Sequence, residues 1–187
     1  MLEGCVPWSA DAAARYRQRG WWEGITIPQL LERSAARHPD KTALVSGDLR
    51  LSYADLVAGS RRLACGFLDA GIKALDRVVL QLPNGPEFVL AYFALTRIGA
   101  IPVMALRAHR HSEVRHFLKA SGAAAYVIPD RIGNFDYREM AREVQPDAPA
   151  LRLVFVAGEP GPGQLGLHAM IAAPLSDAAV AAALVGH

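Results

Sequence analysis

"GIKALDRVVLQLPNGPEFVLAYFALTRIGAIPVMAL" (Gly71–Leu106) decides the fold class. Its first apolar segment, Arg77–Leu82, has the length of a buried strand and runs into the turn residues Pro83, Asn84 and Gly85. Pro86 then stands in the first turn of a helix that spaces Phe88, Ala91, Tyr92 and Leu95 along one face. A second apolar segment, Ile101–Leu106, follows at once. A strand, a helix and a strand joined this closely predict parallel pairing through a crossover.

The flanks extend the same alternation. Upstream, Ser9 is placed to cap a short helix carrying Ala13 and Tyr16. Thr26 and Gln29 form a capping-box pair for a helix with Pro28 in its first turn, and that helix ends before Pro39. "TALVSGDLRLSY" (Thr42–Tyr53) reads as a hairpin about Gly47-Asp48, and Leu56, Leu63 and Phe67 mark a helix that closes at Gly71. Downstream, Ser112 opens a helix with Val114, Phe117 and Leu118 inward. Ala123–Asp130 reads as strand, Phe135–Val144 as helix and Leu151–Gly158 as strand, and Ser176 is placed to cap a terminal helix. The expected fold is α/β: a doubly wound, mostly parallel sheet flanked by helices, preceded by a helical segment and a hairpin. The expected divisions are residues 1–40 (amino-terminal helical segment), 41–158 (α/β subdomain) and 159–187 (loop and terminal helix).

Composition narrows the function classes. The chain has 187 residues, 52% of them hydrophobic, enough for one domain with a real core. Lys and Arg number 20 against 18 Asp and Glu, and no basic stripe points to nucleic acid. The longest apolar stretch, Val89–Leu106, is broken by Arg97 and Pro102 and fails as a membrane span. The start, Met1-Leu2-Glu3, lacks a basic n-region followed by an apolar core, so no signal peptide is expected. Two cysteines, Cys5 and Cys65, make neither a disulfide framework nor a zinc spacing, so a reducing cytoplasm is the expected location.

Three features invite a site assignment. His109, His111 and His116 follow the second strand, but on a helix beginning at Ser112 the third lies opposite the face of Val114, Phe117 and Leu118. Zinc needs converging ligands, so the arginines and histidines are read as the place where a buried strand surfaces, with Gly99 and Pro102 shaping its start. That end of an α/β sheet is also where ligands bind, and the role of the His109/His111 loop stays open. "GPGQLG" (Gly161–Gly166) satisfies G-x-G-x-x-G, yet Pro162 removes a backbone donor where a pyrophosphate needs one, and a flexible surface loop is expected. Asp136 and Glu139 share a helix face as a solvated pair. No catalytic, substrate-binding, cofactor-binding or metal-ligating residue is therefore assigned.

Resemblance carries the reading further. "YRQRGWWEGITIPQLLERSAARHPDKTALV" (Tyr16–Val45), "LSYADL" (Leu51–Leu56), the stretch Gly71–Leu106, "AHRHSEV" (Ala108–Val114) and "FDYREMA" (Phe135–Ala141) together resemble the amino-terminal part of aryl-acid adenylating enzymes. Within them the nearest group is the 2,3-dihydroxybenzoate-AMP ligases of siderophore biosynthesis. "LSYADL" and "RIGAIPV" are similar to the first two core motifs of adenylate-forming enzymes at large, the superfamily that includes acyl-CoA synthetases and luciferases. "YRQRGWW", the "AHR" after the second motif and "FDYREMA" are more particular to the aryl-acid branch.

The resemblance implies the first subdomain of an ATP- and Mg²⁺-dependent ligase that activates 2,3-dihydroxybenzoate or salicylate and passes it to an aryl carrier protein. The family's Ser/Gly/Thr-rich phosphate loop, aromatic-acid pocket, ribose aspartate and catalytic lysine match nothing in these 187 residues. The chain alone is thus expected to be a catalytically silent fragment that binds no cofactor and self-associates through apolar surface. The alternative is a stand-alone α/β binding or assembly module.

Overall fold

Reciprocal side-chain caps start the first long helices. A computed structural model describes residues 4–174 and Leu184. Ser9 caps α1 (Ala10–Gln18), which has no buried residue. Beside it Trp8, Tyr16 and Trp22 stack edge to face, and Trp21 packs tilted on Tyr16 with the Arg19 guanidinium over the Trp21 ring. In α2 (Ile27–Arg37), Gln29 Oε1 accepts from Thr26 N at 2.7 Å while Thr26 Oγ1 accepts from Gln29 N at 3.4 Å. β1 (Thr42–Ser46) and β2 (Leu49–Ser52) form the hairpin, turned by Gly47 at φ 57°. Ser52 and Asp55 repeat the capping box at the head of α3 (Tyr53–Asp69).

The sheet follows from β3 (Arg77–Leu80), α4 (Pro86–Arg97), β4 (Ile101–Met104), α5 (His111–Ser121), β5 (Ala125–Pro129), α6 (Tyr137–Val144) and β8 (Leu153–Ala157). Between β5 and α6 lie the two-residue strands β6 (Arg131–Ile132) and β7 (Phe135–Asp136); β9 (Leu165–Gly166) and α7 (Leu167–Ile171) come last. Five strands pair in parallel in the order β4-β3-β5-β8-β9. The chain leaves β3 toward β4 on one side and returns past it to β5 on the other. Right-handed crossovers therefore put α4 on one face and α5 on the opposite face.

Alternating side chains serve the two layers this creates. Val78, Leu80, Val127 and Phe155 face a core closed by α3, α4 and α7; Val79, Tyr126, Ile128 and Val156 face one closed by α5 and α6. Phe67 meets Phe155 edge to face at 4.9 Å with both fully buried, each burial being worth about 2–3 kcal/mol. Pro102 lies in β4 opposite Val78, on an edge strand where its missing N–H breaks no inner ladder.

Several expectations need correction. The buried residues of α4 are Leu90, Ala91, Ala94 and Leu95, so the face is wider than the spacing suggests, with Phe88 and Tyr92 half-buried and packed against the same core. α3 packs along that helix so closely that a Cβ at Gly59 would lie 2.9 Å from Leu90 Cδ2, which turns the buried stripe toward α3. The expected helix at Phe135 begins at Tyr137, because Phe135–Asp136 first pairs with Arg131–Ile132 around Gly133 at φ 57°. The "GPGQLG" stretch is no free loop: Gly161 N donates to Gln164 Oε1 at 2.9 Å, and Leu165–Gly166 joins the sheet beside β8. The expected helix after Ser176 lies outside the described residues.

Candidate functional site

β3 and β4 stop short of the expected Leu82 and Leu106, and the opening between their carboxyl ends is the candidate site. Ladder bonding ends with Ala105 N donating to Leu80 O at 3.0 Å and Gln81 N to Val127 O at 2.9 Å. Pro83 then has no N–H to continue it. The segments that follow β3 and β4 part around a cavity of ≈ 450 Å³ lined by Leu82, Pro83, Asn84, Phe88 and residues Met104 to Arg107. It lies at the carboxyl edge beside the strand where the sheet order reverses, the usual place for a ligand in such folds. Met104 and Leu106 are 62% and 69% exposed, so the outer wall is apolar. Arg107 is exposed at the rim and has no carboxylate partner among the described residues.

The loop after β4 is fixed by a network of four side chains, Gln81, Tyr126, Tyr137 and Arg110. Gln81 is fully buried, and its Nε2 donates to Leu106 O at 2.8 Å and His109 O at 3.0 Å. Gln81 Oε1 accepts the Tyr126 hydroxyl from β5. Burial pushes the Tyr126 phenol far above its ordinary value, so it stays a neutral donor. The Tyr137 hydroxyl from α6 donates to Arg107 O at 2.8 Å. Arg110, just before α5, donates through Nη1 to Arg107 O and His109 O while its guanidinium lies 4.0 Å from the Phe135 ring centre. The carbonyls of Leu106, Arg107 and His109 are thereby all engaged by side-chain donors.

The histidines are turned to three different surroundings. His109 Nδ1 accepts from Leu106 N at 3.0 Å, which closes a small turn within the loop. His111, one residue earlier in α5 than the expected helix start, sits 2.5 Å from Glu143 Oε2 through Nε2. His116 is exposed on the outer face of α5, opposite Val114 and Leu118. Among the described residues no group of three His, Cys, Asp or Glu side chains is placed to hold a metal ion.

Asp136 is not the solvated partner of Glu139. Its side chain is 8% exposed and caps α6, accepting from Arg138 N at 3.0 Å and from Arg138 Nη2 at 2.6 Å. Those Arg138 hydrogen bonds hold its carboxyl far below the usual carboxylate range despite burial. Asp130, at the end of β5, accepts from Arg131 N at 2.6 Å and Glu159 N at 3.2 Å. Burial raises its carboxyl, but these backbone donors outweigh that and leave it below its ordinary value. Asp130 thus ties the ends of β5 and β8, a role without a sequence signal. Gln81 had one: a lone amide inside an apolar strand, which needs partners when buried.

Comparison with known proteins agrees with this geometry. Residues 31–174 match the AMP-binding enzyme family. The chain is 47% identical to a 2,3-dihydroxybenzoate-AMP ligase of Bacillus subtilis over 159 residues, covering 85% of this chain and 30% of that protein. It is 48% identical to a salicyl-AMP ligase of Mycobacterium tuberculosis over 166 residues, covering 86% of this chain and 29% of that one. Among solved structures, apo MbtA of Mycobacterium smegmatis superposes with a TM-score of 0.83 at 37% identity, over 92% of this chain and 32% of that one. The chain therefore spans about three-tenths of the length of the curated relatives it matches.

Proposed function

The chain belongs to the AMP-binding enzyme family, and from that premise we propose that it forms the amino-terminal part of an aryl-acid adenylating ligase. The whole protein activates 2,3-dihydroxybenzoate or salicylate with ATP in the cytoplasm. It then passes the acyl group to a phosphopantetheine thiol on an aryl carrier protein for siderophore assembly. The observation that carries this reading is the likeness to a 2,3-dihydroxybenzoate-AMP ligase and a salicyl-AMP ligase, and the ≈ 450 Å³ cavity at the carboxyl ends of β3 and β4 is where a ligand would meet this chain. Relatives active on both acids support it about equally, at 47% and 48% identity.

In this reaction a carboxylate oxygen of the acid bonds to the α-phosphorus of ATP. The bond from that phosphorus to the bridging oxygen breaks, and pyrophosphate leaves with the electron pair. Such chemistry is won by positioning and by neutralising charge in a site that excludes water. These residues contribute walls to it: Leu82, Phe88, Met104 and Leu106 supply apolar surface, and Arg107 a cation at the rim. Among the described residues lining the cavity there is no carboxylate, and Mg²⁺ would enter with the ATP phosphates. The test is direct product detection. The protein expressed from the native reading frame, given ATP, Mg²⁺ and either acid, should yield the aryl adenylate by mass spectrometry; no adenylate with either acid would overturn the proposal.

A further inference from the structure

Both walls of the cavity hang from one side chain. The backbone of Gln81 leads directly into Leu82, Pro83 and Asn84 on one wall, and its carboxamide binds the carbonyl of Leu106, on the other wall, and that of His109 just past it. A buried glutamine is costly unless its amide is satisfied, and here every strong contact is used. The NH₂ group faces two carbonyl oxygens, which fixes the amide orientation, and Oε1 is left to accept from the Tyr126 hydroxyl. An apolar residue of similar size would fill the same volume between β4 and β5, so a packing role alone does not call for an amide.

We propose that Gln81 is a positioning residue for the crevice. By clamping the carbonyls of the 106–109 loop it holds Met104, Leu106 and Arg107 as a preset wall against the substrate. The proposal rests on the ligase reading for its substrate and on geometry alone for its clamp. Removing the clamp frees the loop without opening the sheet, because the ladder bonds of Ala105 N to Leu80 O and Gln81 N to Val127 O come from the backbone. Binding energy that was spent equally on ground state and transition state should then be lost, a change read in KM rather than kcat.

The experiment has two arms, each with a separate readout. In the 187-residue chain, amide hydrogen exchange is followed by NMR for Gln81→Leu and for Tyr126→Phe, which removes only the hydroxyl contact. Gln81→Leu should speed exchange at His109, whose N–H bonds to Leu106 O, and at Leu106, whose N–H bonds to His109 Nδ1, by tenfold or more. The Val79 and Val127 amides should stay within twofold, and Tyr126→Phe should affect the same loop amides by a smaller factor. Loop amides that change no more than those of Val79 and Val127 would overturn the clamp. In the protein from the native reading frame, Gln81→Leu should raise the KM for aryl acid or ATP at least tenfold with kcat within threefold; KM values within twofold of wild type would overturn the positioning role. A wild-type protein that activates no acid would instead defeat the ligase reading and leave the exchange arm to decide the clamp.

Discussion

Arg97 on α4 reaches Glu32 on α2 through a single Nη1–Oε1 contact of 2.7 Å, while its Nε and Nη2 are buried without an acceptor among the described residues. The same Glu32 oxygen also accepts from Arg61 Nη2 at 2.7 Å, so one carboxylate joins α2 to both α3 and α4. A buried guanidinium that is only partly satisfied makes its lone carboxylate partner matter more than the cation itself. Glu32→Gln should cost about 2–3 kcal/mol, whereas Arg97→Met should cost less than half of that. Denaturant titration of the two variants decides it, and equal losses would show that the pair contributes symmetrically.

The same contact sets a pH dependence. Burial pushes the Glu32 carboxyl up, but hydrogen bonds and charge from Arg61 and Arg97 outweigh it and lower its value below the ordinary 4.5. A depressed carboxylate stabilises the fold above its unfolded value, and that contribution is lost as pH falls through the folded one. The stability gap between wild type and Glu32→Gln should therefore be full at neutral pH and shrink as pH drops below about 4. Unfolding curves across that range measure the gap directly; a gap that widens in acid would contradict the assignment.

Gly158 supplies a steric test of the join between β5 and β8. At φ 129° it passes Asp130 so closely that a Cβ would lie 2.3 Å from Asp130 Oδ2. Gly158→Ala should destabilise by about 1–3 kcal/mol through backbone strain, with a further loss from displacing the Asp130 cap. Asp130→Ala in the same background should relieve the clash, so the double variant should lose less than the sum of the two. Additive losses in thermal unfolding would rule out that contact as the cause.

His116 and Leu75 probe the exposed surface. His116 is exposed and makes no hydrogen bond among the described residues, so His116→Ala should change stability by no more than about 0.5 kcal/mol. Leu75, Val45, Leu49 and Leu30 are between 46% and 56% exposed, and Met104 and Leu106 more so. The 187-residue chain should self-associate as its concentration rises. Light scattering of a clean monomer at every concentration, with no binding of a hydrophobic dye, would contradict that expectation.

What the sequence made legible was whatever is written locally. Thr26 with Gln29, Gly47 with Asp48 and the proline at the head of α4 announce their elements by short-range chemistry, and the apolar period of Gly71–Leu106 fixes a parallel pair. The crevice was legible only as a place, since strands surfacing in an α/β sheet mark it. Gln81, Tyr126, Tyr137 and Arg110 meet across separations of up to 45 residues, which no local period encodes. Asp136 was misread for the same reason: as a helix residue it pairs with Glu139 toward water, but as a cap it is closed in by Arg131 and Arg138. Leu165 and Gly166 read as loop because a two-residue edge strand has no period at all.

The central claim is that this fold forms part of an aryl-acid adenylating ligase, and acid-dependent exchange of labelled pyrophosphate into ATP tests it most directly. The protein from the native reading frame should exchange strongly with 2,3-dihydroxybenzoate or salicylate and only at background with aliphatic amino acids, because a site built to pair the acid's hydroxyl is left unpaired by them. The 187-residue chain should stay at background with every acid, since it spans only about three-tenths of the length of the relatives it matches. Preference for an amino acid, no exchange with any acid, or exchange by the 187-residue chain itself would contradict the account.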